Sequence, residues 1–219
     1  MRIGIIGAGR IGGNCAVQFA KGGHEVMLSS RDPSKLEPLA AEIGDAASVG
    51  TPAEAAEFGE VVVLSVPWDG IDDALERAGS LEGKIVIDTT NQYGSSEMPA
   101  DDQTGASFHA ARVDGARYTK SFNTLTAPFQ AEAAFRPDDQ RIVQWVCGDD
   151  VAAKQVVMGL INDAGYAPID LGRNEDATVM EMPRRDGAVY GEEYRLTDAE
   201  KVVEAVGAGE SIPPTPSYS

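Results

Sequence analysis

Short apolar runs, most of them rich in β-branched residues, alternate along the chain with segments that carry apolar residues at helical spacing. Near-continuous hydrophobicity over a few residues is typical of strands covered on both faces of a parallel sheet. Strand–helix alternation from the first residues therefore predicts a doubly wound, mostly parallel α/β sheet. The predicted strands are 2–7, 25–30, 48–50, 61–66, 84–90, 117–123, 141–148 and 167–172.

Capping signals indicate where the intervening helices begin. Thr51 and Glu54, and again Thr197 and Glu200, have the spacing of a capping box. Further N-cap candidates are Asp32, Asp69 and either Asp149 or Asp150. Proline at 33 and 52 suits the first turn of a helix, and glycine at 44 and 165 suits the end of one.

The pattern divides the chain into two parts. Residues 1–172 carry the regular alternation and predict one domain, whereas 173–219 are more polar and predict a small extension that packs on it. The irregular stretch 91–107 is long enough to be a functional loop. The segment GAGESIPPTPSYS at 207–219 predicts a non-globular tail held against another surface, for which a second subunit is one candidate.

Charge and composition exclude several classes of function. The net charge of −17 over 219 residues would repel a nucleic acid, and no apolar run is long enough to span a membrane. The start MRIGIIGAG lacks the pattern of a secretion signal, so we expect a cytoplasmic protein. The dispersed acidic residues indicate a solvated surface or, as a sharper hypothesis, adaptation to salt. Cys15 and Cys147 lie in apolar runs and are expected to be buried free thiols, with no metal site.

The strongest motif is GIIGAGRIGG at 4–13, which follows a predicted strand and begins a predicted helix. Its Gly7, Gly9 and Gly12 have the GxGxxG spacing of a Rossmann dinucleotide-binding loop. The three glycines are expected to allow a tight turn, close approach of a pyrophosphate and close helix–strand packing, respectively. Ile11 belongs to the same loop, and Arg10 either folds over the pyrophosphate or is solvated.

The end of the second strand indicates which dinucleotide is bound. NAD enzymes usually carry a carboxylate there, which would repel the 2′-phosphate of NADP. This chain has Ser29, Ser30 and Arg31, with Lys35 one turn further on, so donors and cations favour NADP(H). Asp32 is expected to turn back onto helix N–H groups. NAD, or dual use with Arg31 stacked on adenine, is the alternative.

Ligands of such sheets lie beyond the carboxyl ends of the strands, here SVPW at 65–68, DTTNQY at 88–93 and SFNTLT at 121–126. Val66, Pro67 and Trp68 are expected to line the nicotinamide region, although Trp68 could equally be a packing residue. Asn91 and Asn123 can bind a carboxamide or a substrate edge, with local turn chemistry as the alternative.

Acid–base machinery is scarce. His109 is a weak candidate for a proton donor, with packing as the alternative, and neither Lys84 nor Lys120 has the setting of a poised base. Hydride transfer between two ring cofactors requires alignment more than a protein acid.

Several segments together resemble the F420-dependent NADP oxidoreductases: GIIGAGRIGG, SSRDP, VVVLSVPW, IDTTN, KSFNT, CGDD and INDAGYAPIDLG. The resemblance extends to about Gly172. It implies that Ser30, Arg31 and Lys35 hold the 2′-phosphate and that the deazaflavin coenzyme F420 stacks near Pro67–Trp68, Asn91 and Phe122–Asn123. It also implies direct hydride transfer between the rings and a homodimer.

After Gly172 the chain departs from the family pattern, and Met180, Met182, Arg184, Arg185 and Tyr190 are candidates to reshape the acceptor site or to pack. Two other functions therefore stay open. One is NADPH-dependent reduction of another small acceptor, such as a carbonyl, an imine or a ferric chelate. The other is a non-catalytic NADPH-binding regulatory module.

Overall fold

The computed structural model describes residues 1–94, 97, 99–184 and 186–218. Within these residues, eight strands form one sheet in the order β3-β2-β1-β4-β5-β6-β7-β8. All the predicted strands are present, and the predicted doubly wound, mostly parallel α/β sheet is confirmed. The strands are β1 (Arg2–Ile6), β2 (Glu25–Ser29), β3 (Ala47–Gly50), β4 (Val61–Leu64), β5 (Ile85–Asp88), β6 (Arg117–Ser121), β7 (Val143–Cys147) and β8 (Ala167–Gly172).

The last two strands reverse the direction of the sheet. β6 pairs with β7 antiparallel, with Ser121 opposite Val146, and β7 pairs with β8 in parallel. The first six strands are parallel to one another. The carboxyl ends of β1 to β6 therefore lie at one edge of the sheet, together with the amino ends of β7 and β8.

Helices cover both faces of this sheet. One buried cluster includes Phe19 and Phe122, and a second, on the opposite face, includes Trp68 and Trp145. Both cysteines are buried free thiols, as expected from the sequence. Across the described part of the chain, no helix is both long and apolar enough to cross a membrane. The helices are α1 (Arg10–Lys21), α2 (Glu37–Ile43), α3 (Pro52–Phe58), α4 (Ile71–Ala78), α5 (Gly105–Ala110), α6 (Ala127–Ala133), α7 (Val151–Asp163) and α8 (Leu196–Ala208).

Two of the predicted helix starts are formed by capping side chains. Thr51 and Glu54 make the reciprocal bonds of a capping box at α3, and the Asp150 carboxylate accepts from the Ala153 N–H at α7. The capping box predicted at Thr197 is wrong, because α8 begins at Leu196 and encloses Thr197. Short helices α5 and α6 were not predicted.

The tail is held against its own chain. The Tyr218 hydroxyl donates to the Asp198 carboxylate at 2.8 Å and accepts from the Arg195 N–H at 2.9 Å. The Arg195 guanidinium lies over the Tyr218 ring, 4.4 Å from its centroid. These contacts tie the last described residues to the start of α8.

Candidate functional site

The glycine loop between β1 and α1 has the geometry of an anion-binding turn. Gly7 has a φ of +93°, and its N–H, like that of Ala8, donates to the Ser29 carbonyl at 3.0 Å. A Cβ at Gly12 would lie 2.3 Å from the Gly7 carbonyl oxygen, so the helix and the turn can approach only without a side chain there. A Cβ at Gly9 would meet no atom within 4 Å. The space beside Gly9 and the start of α1 is therefore open to an anion.

Residues 29–35, which begin with the last residue of β2, form the rim where the 2′-phosphate was expected. The four predicted groups on this rim, Ser29, Ser30, Arg31 and Lys35, do not all face the surface. The Ser29 hydroxyl is fully buried and donates to the Ile5 carbonyl at 2.8 Å, so it does not face the surface. The Ser30 hydroxyl donates to the main-chain carbonyl of Asp32. Arg31 and Lys35 are exposed, and Arg31 has no ion-pair partner among the described residues. Three groups of this rim, excluding Ser29, therefore remain near the surface.

Asp32 does not cap the following helical turn as the sequence suggested. Its carboxylate instead accepts from the Ser34 hydroxyl at 2.7 Å and pairs with the Lys35 ammonium at 3.1 Å. The Ser34 and Lys35 hydrogen bonds lower the pKa of the Asp32 carboxyl. Asp32 thus stays ionised and partly offsets the positive charge of the rim. Arg31 becomes its most important cation.

A cleft of about 400 Å³ extends from the glycine loop along the carboxyl ends of β4, β5 and β6. Eight residues predicted to contact the cofactor contribute to its walls, whereas the rim at 29–35 lies outside them. The lining residues are Gly9, Arg10, Ile11, Ser65, Val66, Pro67, Trp68, Thr89, Thr90, Asn91, Tyr93, Phe122, Asn123, Leu125, Thr126, Ala127 and Tyr190.

The two asparagines hold each other at the floor of this cleft. Asn91 Nδ2 donates to the Asn123 carbonyl at 2.8 Å, and Asn123 Nδ2 donates to Asn91 Oδ1 at 3.2 Å and to the Met180 carbonyl at 2.8 Å. Asn123 is 3% exposed, and its Oδ1 has no hydrogen-bond partner within the described residues. A buried carbonyl oxygen without a donor is costly, so the hydrogen bonds of the Asn123 amide N–H groups to Asn91 and Met180 must hold this side chain in place.

Backbone strain lies beside this pair. Phe122 has a φ of +58°, a conformation that is uncommon for residues other than glycine. Its ring is 1% exposed and packs edge-on against Phe19, with 5.6 Å between the centroids. The turn thus sends the Phe122 ring into the core while Asn123, the next residue, lines the cleft. No local pattern of residues indicates this strained turn.

His109 lies behind Trp68 rather than in the cleft. The two ring centroids are 4.2 Å apart in an edge-on arrangement, and His109 is 1% exposed. Burial lowers the pKa of His109 to about 4, so the ring is neutral at pH 7. Trp68 itself donates from Nε1 to the Glu97 carbonyl at 3.0 Å. A neutral imidazole shielded by an indole is poorly placed to give a proton to a ligand.

A buried ionic cluster supports the cleft from below. The Lys120 ammonium lies 3.4 Å from the Asp88 carboxylate and 3.7 Å from that of Glu181, and it donates to the Thr90 carbonyl at 2.8 Å. Burial acts to raise the pKa of Asp88, but the charge of Lys120 and the hydrogen bond from Tyr118 outweigh it, and the pKa is lowered. We therefore treat Lys120 as a positioning residue for the strand end at Thr90.

Glu181 connects this cluster to the C-terminal extension. Its carboxylate accepts from the Gly105 and Ala106 N–H groups at 2.9 and 2.8 Å, at the start of α5. Its neighbour Met182 donates from its N–H to Asn91 Oδ1 at 3.4 Å. Sequence analysis missed Glu181, because its partners are distant in the chain.

The other extension residues predicted to shape the acceptor site have different roles. Met180 is fully buried as a packing residue, and Arg184 pairs with Glu192 away from the cleft lining. Tyr190 lines the cleft. Arg185 lies outside the described residues.

Several known proteins are similar to this chain. The family model described as NADP oxidoreductase coenzyme F420-dependent matches residues 2–92. F420-dependent NADP reductase of Methanothermobacter thermautotrophicus is 29% identical over 200 residues, which cover 83% of this chain and 85% of that protein. Metalloreductase STEAP3 of Rattus norvegicus is 26% identical over 180 residues, which cover 82% of this chain and 36% of that protein.

Among solved structures, a hypothetical protein from Sinorhizobium meliloti superposes with a TM-score of 0.78 and 26% identity, covering 90% of this chain and 95% of the other. The glycine loop, the sheet and these likenesses are those of a dinucleotide-binding α/β protein similar to NADP-dependent oxidoreductases. The chain matches the family of coenzyme F420-dependent NADP oxidoreductases over residues 2–92 and is similar to the F420-dependent NADP reductases beyond them. It spans about a third of the length of the metalloreductases that it matches.

Proposed function

We propose that the protein transfers a hydride between NADP(H) and the deazaflavin coenzyme F420. The observation that carries this proposal is one continuous cleft. The open space beside Gly9 lies at one end, and the Asn91–Asn123 pair lines the cleft further along. The first suits the pyrophosphate of a dinucleotide, and the amide pair gives a polar surface where the nicotinamide carboxamide would lie.

The residues of the chain fit NADP(H) from end to end. The N–H groups at the start of α1 would bind the pyrophosphate, with Arg10 and Ile11 beside it. Arg31, with Ser30 and Lys35, would hold the 2′-phosphate on the exposed rim. Val66, Pro67 and Trp68 would support the nicotinamide, and Asn91 would keep Asn123 directed at its carboxamide.

The residues that line the cleft can align two rings for hydride transfer, but they do not provide a strong acid or base. The described lining residues include no carboxylate and no histidine. When bound, NADPH supplies the hydride and the deazaflavin accepts it. The protein would contribute by holding the two rings face to face and by excluding water, which the aromatic and aliphatic walls favour.

A second candidate is the reduction of another acceptor by NADPH. The match to proteins named metalloreductases, over 82% of this chain, favours a ferric chelate as one such acceptor. In both cases the dinucleotide site is the same, and the two functions differ in what occupies the remaining part of the cleft.

One assay separates the candidates. The protein is mixed with NADPH, and absorbance at the nicotinamide band is followed alone, with coenzyme F420, and with a ferric chelate or a small carbonyl or imine. We expect loss of absorbance with F420 only. Turnover with another acceptor and none with F420 would favour the second candidate. Tight NADPH binding without turnover by any acceptor would contradict both and indicate a regulatory module.

A further inference from the structure

Two tyrosines from distant parts of the chain meet at the acceptor end of the cleft. The hydroxyl oxygens of Tyr93 and Tyr190 are 2.7 Å apart, and both side chains line the cleft. Tyr93 follows β5, and Tyr190 lies beside the segment that follows β6. In the sheet, β4 separates β5 from β1 and its glycine loop. The pair therefore lies away from the glycine loop, on the side of the cleft formed by the ends of β5 and β6.

The two tyrosines are anchored to different degrees. Main-chain bonds fix both neighbours of Tyr190: the Val189 N–H donates to the Val179 carbonyl and the Gly191 N–H to the Thr124 carbonyl, each at 2.8 Å. Val189 is fully buried. Tyr93, in contrast, is 57% exposed. Tyr190 is thus the fixed member of the pair, and its hydroxyl positions that of Tyr93.

Within the part of the chain that the structure describes, one hydroxyl donor of the pair has no acceptor. Two hydroxyl groups carry two protons, and the bond between them uses one. Burial, followed by the hydrogen bond with Tyr93, raises the pKa of Tyr190, so this phenol is protonated at neutral pH. Both side-chain N–H groups of Asn123 are engaged, with Asn91 Oδ1 and the Met180 carbonyl, and one of the two on Asn91 donates to the Asn123 carbonyl. The tyrosine pair therefore adds a donor at the end of the cleft where a second substrate would lie.

We propose that the Tyr93–Tyr190 pair donates a hydrogen bond to a ring carbonyl oxygen of the hydride acceptor, and that Tyr190 is a specificity-determining residue. The ligand class is a planar heterocycle with carbonyl groups along one edge, as in the pyrimidinedione ring of a deazaflavin. This inference rests on the proposed function. It also gives a role to the region after Gly172, where the chain departs from the sequence pattern of the family.

The test is steady-state oxidation of NADPH with coenzyme F420 as the varied substrate. The variants are Tyr190→Phe, Tyr93→Phe and the double variant, and Tyr218→Phe is the control because its hydroxyl is bound in the tail. We expect Tyr190→Phe to raise KM for F420 about tenfold, the loss of one hydrogen bond, with KM for NADPH within about twofold of wild type. KM for F420 in the double variant should be no higher than in the single variant with the higher KM, since the two hydroxyls act as a unit.

Wild-type KM for F420 in both single variants would overturn the tyrosine assignment and leave the proposed function standing. A parallel loss of NADPH affinity would also overturn it, because the effect would then be a general disturbance of the cleft. No hydride transfer to F420 by the wild-type protein, with NADPH still bound, would overturn the proposed function and this inference together.

Discussion

Replacement of Lys120 by methionine removes the single cation from a buried cluster with two carboxylates. Lys120 and Asp88 are fully buried, and Glu181 is 4% exposed. Methionine fills a similar volume, so the change is mainly one of charge. Breaking a buried pair by removing one partner costs about 3–5 kcal/mol, because a charge is left without compensation. For a chain of this length, that corresponds to a fall in Tm of roughly 6–20 °C.

The pH dependence distinguishes this mechanism from simple loss of packing. In the wild-type protein the pKa of Asp88 is lowered, so its ionised form stabilises the fold above its unfolded pKa, and this contribution disappears as pH falls through the folded pKa. Without Lys120, burial dominates and the pKa of this carboxyl rises above the unfolded value. The destabilisation should then be largest at neutral and alkaline pH and should shrink as pH falls.

The measurement is urea unfolding of wild type and Lys120→Met between pH 5 and pH 8. The control is Lys201→Met, which removes an exposed ion pair with Asp198 and should change the free energy of unfolding by less than about 1 kcal/mol. The free energies of unfolding of wild type and Lys120→Met could differ by less than about 1 kcal/mol, or by an amount that does not change with pH. Either result would show that Lys120 does not compensate the buried charge of Asp88.

Three further predictions concern other parts of the molecule. Gly12→Ala should destabilise the fold by about 1–3 kcal/mol, because its Cβ would meet the Gly7 carbonyl. Gly9→Ala should keep the wild-type Tm and weaken NADPH binding at least about tenfold. Similar effects of the two substitutions on Tm would contradict this contrast. Tyr218→Phe should lower the free energy of unfolding by about 1 kcal/mol in chemical denaturation, and no change would mean that the tail contacts contribute nothing. If the charge of −17 reflects adaptation to salt, Tm should rise from low to molar NaCl, and a flat response would end that hypothesis.

The fold was predictable because each buried strand appears in the sequence as a short apolar run, which can be recognised without knowing its partners. Strand direction was not, since β7 is as apolar as its neighbours whether it runs parallel or antiparallel to β6. The helices α5 and α6 are only six and seven residues long, too short for a clear helical period. Thr104 does cap α5, but its signal lies within a segment that was interpreted as a loop.

The candidate site shows the same division between local and distant information. The glycine spacing was sufficient to predict the turn at Gly7, because each glycine is required by steric contacts within the loop itself. The roles of Ser29 and Asp32 depend on partners that the motif does not specify, namely the Ile5 carbonyl and the Lys35 ammonium. Glu181 joins Lys120 across 61 positions of sequence, and no local pattern indicates such a contact.

We infer that the rim after β2 prefers a dinucleotide with a 2′-phosphate and that Arg31 carries most of that preference. The most direct measurement is fluorescence titration of wild type and Arg31→Ala with NADPH and with NADH. We predict that wild type binds NADPH more tightly and that the substitution weakens NADPH by roughly 10- to 100-fold while NADH changes little, since one or two charge-assisted hydrogen bonds are lost. Equal losses for both dinucleotides, or equal affinities in the wild-type protein, would contradict the account.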